Sequence, residues 1–154
     1  MSEMTESQRL QLIAEAIRYC QRVREMGMPS TCYSKALREP VYFLWACRGE
    51  KRKEKVARYR SRGSVGLKFG TDKLRLDHAI PFKYQLEELL QLSELTPEAV
   101  REVLLRYDTL VLITKEENGQ LNASGLGDTM PGSWDRRDPF ARYKAVGIEL
   151  VDNS

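Results

Sequence analysis

The residues of this chain best suited to chemistry are Asp77-His78-Ala79-Ile80-Pro81, where the only histidine follows a carboxylate directly at the end of an apolar, strand-like run. Imidazole has an ordinary pKa of about 6.5, close to neutrality, so His78 is the one obvious general base. A neutral imidazole that takes a proton from water contributes roughly 10²- to 10⁴-fold to a hydrolytic step. The carboxylate of Asp77 suits a hard divalent cation, Mg2+ or Mn2+, which prefers oxygen ligands and acts as a Lewis acid. Taken alone, an Asp-His pair is more often a surface or structural feature, so its positioning decides what it means.

Leu74 and Leu76 alternate in a strand that delivers Asp77 and His78 at its end. The spacing predicts an earlier strand between Gly63 and Gly70, carried by Val65, Leu67 and Phe69, with Gly70-Thr71-Asp72 as the turn between the two. After Pro81 the pattern is helical: Tyr84 to Leu92 is amphipathic, and Thr96-Pro97 opens a helix to about Tyr107. Leu110 to Ile113 then reads as a short buried strand, and Thr114 as the cap of a helix starting Lys115-Glu116-Glu117-Asn118, although Asn118-Gly119 is also a turn signal. Asp138-Pro139 opens a last short helix, stopped by Gly147 ahead of a terminal strand through Ile148 and Leu150.

Upstream, Thr5-x-x-Gln8 is a capping-box pattern, and Leu10, Ile13, Ile17 and Cys20 recur at helical spacing, which gives a helix over residues 6 to 26. Ser30 or Thr31 caps a second helix that Pro40 should break or kink. Val41-Tyr42-Phe43-Leu44-Trp45 reads as core, followed by a basic helix. From Arg48 to Lys68 there are nine basic residues against Glu50 and Glu54, a local balance of +7 in a chain whose total is +3. A charge run is usually a solvated face. Here Tyr59 is interleaved with Arg48, Lys51, Arg52, Lys53, Lys55, Arg58, Arg60 and Arg62, the composition that contact with backbone phosphates requires.

The 154 residues, with 42% hydrophobic and 31% charged, suit one domain with its own core. The longest apolar run, Val41 to Cys47, falls far short of the roughly 20 residues of a membrane span, and MSEMTESQRLQ lacks a signal-peptide core. A cytoplasmic location is expected, with no membrane partner. Cys20, Cys32 and Cys47 form no CxxC, so neither a disulfide framework nor a zinc knuckle is indicated, and reduced, partly buried thiols are expected.

The succession of strand, Asp-His-x-x-Pro, strand and helix resembles the ββα-metal core of the HNH endonuclease superfamily. The stretch Asp108-Thr109-Leu110-Val111-Leu112-Ile113-Thr114-Lys115-Glu116-Glu117-Asn118 aligns without a gap on the family's second half-motif. The resemblance implies Asp77 and Asn118 as ligands of a magnesium or manganese ion, His78 as the base, and Thr109 where the family carries the asparagine that orients the histidine. Asn122, one turn beyond Asn118 on the same helix face, is the alternative ligand.

The resulting expectation is an α+β, mainly helical single domain around a small ββα-metal-like core. Its parts are a helical segment 1–62 with basic residues 48–62, a core 65–123 interrupted by a helical insertion 82–107, and an extension 124–154. The function implied by the resemblance is metal-dependent cleavage of DNA. The alternative is an inactive HNH-like module that binds nucleic acid or a protein partner and regulates a nucleic-acid-processing machine.

Overall fold

A computed structural model describes residues 3–70 and 72–153, so the expected turn residue Thr71 lies outside the described residues. The fold is α+β, mainly helical with one small mixed sheet. The backbone gathers into two compact units, each discontinuous in sequence: the chain up to Gly49 with Phe82–Leu105, and Glu50–Pro81 with the chain from Arg106 on.

The first unit is helical. Helix α1 spans Glu6–Glu25, and its start is the expected reciprocal box, with Thr5 and Gln8 each bonding the other's backbone N–H. Its apolar stripe Leu10, Ile13, Ile17, Cys20 and Val23 is buried against α2, Ser30–Pro40. Pro40 does not break the chain's helicity. With no N–H to give, it sits at the switch from α-helix into a π-helix, Val41–Cys47, in which Val41, Trp45 and Cys47 are buried while Phe43 is exposed. The aromatic segment is therefore core on one side only. Helix α4, Phe82–Leu90, packs on α1 and α2, and the Gln21 amide donates to the carbonyl of Leu90 at its C-terminus, which α4 itself cannot satisfy, and to that of Leu92 just beyond. Thus much of the expected insertion 82–107 belongs with the N-terminal helices rather than with the strands on either side of it.

The second unit holds the sheet. In chain order its strands are β1 (Tyr59–Ser61), β2 (Leu74–His78), β3 (Leu110–Thr114) and β4 (Leu150–Asp152), arranged β2-β3-β1-β4. β3 pairs antiparallel with β2 and parallel with β1, and β4 closes antiparallel on β1. One face is covered by α6, Lys115–Ala123, and α7, Ala141–Val146, over a core of Ala79, Val111, Ile113, Leu121, Tyr143 and Ile148. Ahead of β1, α3 is a single turn, Lys53–Val56; α5, Pro97–Tyr107, lies mostly in the first unit and its last residues lead toward β3.

Three expectations are corrected here. The basic helix is only the four residues of α3, because the following residues are drawn into β1 and pair with β3 and β4. The strand over 63–70 does not form. A 3-10 turn occupies Arg62–Ser64, Gly66 and Gly70 adopt positive φ, and Arg60 reaches across to the carbonyls of Ser64 and Leu67. The terminal strand begins at Leu150, since Ile148 is buried under the helices and its N–H closes the α7 C-terminus on Tyr143 O.

Candidate functional site

The pairing of β2 with β3 sets the geometry around the Asp-His pair. Asp77 stands opposite Val111 and His78 opposite Leu110, and the ladder continues through Ala79, whose N–H donates to Thr109 O at 2.8 Å. Alternation along a regular strand sends successive side chains to opposite faces. Asp77 and Ala79 share the face of Val111 and Ile113, under α6 and α7. His78 lies on the opposite face, with Leu110 and Leu112.

The carboxylate of Asp77 is engaged from α7. Its Oδ2 accepts the Tyr143 hydroxyl at 2.6 Å and Nη1 of Arg142 at 3.0 Å. Arg142 is fully buried, and its other bonds run to backbone: Nε to Leu126 O at 2.7 Å, Nη2 to Gly127 O at 3.0 Å, and Nη1 also to the carbonyls of His78 and Ala79. A buried cation needs this saturation, since a charge removed from water is costly unless it is both paired and hydrogen-bonded. Burial, then the charge of Asp77 and the bond to it, hold the Tyr143 phenol well above its ordinary pKa, so it stays a donor.

Helix α6 starts from Thr114, whose side chain accepts the Glu117 N–H at 3.0 Å while the Glu117 carboxylate returns to the Thr114 N–H at 2.8 Å. Asn118 and Gly119 therefore lie within the helix. Asn122 is one turn further on, and its Oδ1 lies against Gly127, where an added Cβ would overlap it. Gly127 O is held by the same guanidinium that holds Asp77. Of the two asparagines, Asn122 is thus the one tied to the Asp77 neighbourhood. The structure ties Thr109 in through its backbone carbonyl, on Ala79.

These donors are a poor fit to a magnesium ion as they stand. A hard cation needs several free oxygens, whereas Asp77 Oδ2 already serves two donors, one of them a buried positive charge. Among the described residues, no group of three His, Cys, Asp or Glu side chains is clustered to hold a metal. Cys20 and Cys47 are buried thiols and Cys32 an exposed one.

The basic residues divide. Arg60 is half-buried and structural, with Nε on Ser64 Oγ at 3.1 Å and Nη1 on Asn153 Oδ1 at 3.4 Å. Arg52 pairs with Glu50 at 2.9 Å and Arg62 with Glu149 at 2.7 Å. Arg48 stacks 4.3 Å above the Trp45 ring. Lys51, Lys53, Lys55 and Arg58 are exposed, with Lys53 above Phe69 and Arg58 above Tyr59.

Compared with protein-family models, with curated proteins and with solved structures, the chain matches none. Among the described residues no helix is long and apolar enough to cross a membrane. Arg142 and Tyr143 carried no signal in the sequence. An Arg-Tyr pair on a six-residue helix reads as surface, and its partner lies 65 positions away.

Proposed function

We propose that this protein is a cytoplasmic nucleic-acid-binding module on an HNH-like strand-strand-helix scaffold, in which Asp77 is a structural carboxylate and not a metal ligand. The observation that carries this reading is the engagement of Asp77 Oδ2 by the fully buried Arg142 and by Tyr143. A guanidinium 3.0 Å from the carboxylate occupies the electrostatic place of a cation. The exposed cations of the basic segment supply affinity for phosphate without sequence information.

A second reading, a magnesium- or manganese-dependent endonuclease with His78 as base, is favoured by one feature: Asn122 lies beside Gly127, next to the guanidinium that holds Asp77. Supercoiled plasmid separates the two. Incubated with wild type and His78→Ala, with magnesium, with manganese and with chelator, the plasmid is expected to be retarded by both proteins and nicked by neither. Metal-dependent nicking by wild type, lost in His78→Ala, would establish the nuclease instead.

A further inference from the structure

The nucleic-acid reading leaves open which surface takes the phosphates. Lys53 Nζ lies 5.8 Å from the centre of the Phe69 ring, and the Glu54 carboxylate accepts the Phe69 N–H at 3.3 Å. The Lys51–Lys55 stretch is therefore folded against the Lys68–Phe69 loop. Asp72 Oδ2 accepts the Lys68 N–H at 2.7 Å, and beyond it Lys73 gives its carbonyl to the Lys115 N–H at the start of α6. Glu54 and Asp72 are thus both bonded to backbone amides of the loop.

The exposed cations of these two segments are Lys51, Arg52, Lys53 and Lys55 in one, and Lys68 and Lys73 in the loop, where Asp72 bonds the Lys68 backbone. Arg52 is paired with Glu50, and among the described residues Lys51, Lys55, Lys68 and Lys73 make no ion pair. The later half of the basic block differs, since Arg60 is committed to its own turn and Arg62 to Glu149.

We propose that the phosphate-binding surface is a composite face, made of Lys51, Lys53 and Lys55 together with Lys68 and Lys73 from the loop before β2. Its occupant is the sugar-phosphate backbone of a nucleic acid, and it excludes Arg60 and Arg62. Charge complementarity argues for this occupant: a polyanion meets lysines from two chain segments at once, with Glu54 and Asp72 bonded to loop amides and Glu50 to Arg52. Phe69, beneath Lys53, stiffens the junction.

The inference rests on the nucleic-acid reading and is tested by fluorescence anisotropy of a short labelled DNA duplex against salt, using the full chain. The variants are Lys68→Gln/Lys73→Gln, Lys51→Gln/Lys53→Gln/Lys55→Gln, and Arg62→Gln. Each lost phosphate contact should lower the slope of log K against log salt by about 0.9. The double variant should therefore lose about 2 units of slope and the triple about 3, each with at least about tenfold in affinity at moderate salt. Arg62→Gln should bind as wild type does. All replaced side chains are exposed, and an unchanged unfolding midpoint verifies that the variants fold. Wild-type binding that survives the Lys68/Lys73 substitutions unaltered, or is lost in Arg62→Gln, overturns the composite face while the nucleic-acid reading stands. No salt-dependent binding by wild type overturns both.

Discussion

Removing the Arg142 guanidinium would strip a partner from Asp77 and from the carbonyls of Leu126, Gly127, His78 and Ala79 at once. Arg142→Met should therefore lose about 3–5 kcal/mol in urea unfolding, the range for breaking one side of a buried pair. Tyr143→Phe should be milder, about 1.5–3 kcal/mol for a hydrogen bond to a charge. It should also change the pH profile. The phenol's pKa is raised in the folded protein, so its contribution is complete below about pH 10, the value of a free tyrosine, and is lost as pH climbs from there toward the folded value. Wild type should thus lose stability more steeply than Tyr143→Phe in thermal melts above about pH 10. Tyr42, pushed up to about 12 mainly by burial, contributes the same trend to both proteins and cancels in the difference. At this scale the sequence displays Asp77 and His78 through their adjacency. Their partner was hidden because local spacing carries no information about a pair closed across the fold.

Periodicity was most legible in the elements where cap and apolar stripe agree, as in α1 with its Thr5 box and buried Leu10, Ile13 and Ile17. The same agreement resolves Asn118-Gly119. The reciprocal bonds of Thr114 and Glu117 start α6, Leu121 is buried on the sheet, and a helix satisfies both where a turn would satisfy neither. Thr114→Ala should accordingly cost about 1 kcal/mol of stability, measured by urea unfolding. The stretch 63–70 shows the converse. Val65, Leu67 and Phe69 alternate as a strand does, but glycines at 66 and 70 take positive φ, and Ser61 and Arg60 bind the backbone into a turn. β1 went unread because three residues inside a cationic run present no apolar alternation. Their strand state comes from β3 and β4 on either side.

For the molecule as a whole, the α+β class followed from a helix-rich chain with a few short apolar runs, and the residues between Pro81 and Leu110 were rightly read as helical. What local patterns did not carry was membership. Residues 82–105 join the N-terminal helices, while β1 leaves them to stand in the middle of the sheet. That central position bears on how the protein is made. β1 leaves the ribosome with neither neighbour yet in existence: β3 follows roughly 50 residues later and β4 roughly 90. At about 5–20 residues per second, the strand waits about 3–10 s for its first partner and about 5–18 s for its second. During that interval its unpaired backbone is carried by the most basic stretch of the chain, where mutual repulsion between nascent copies protects an exposed edge from pairing with a neighbour's.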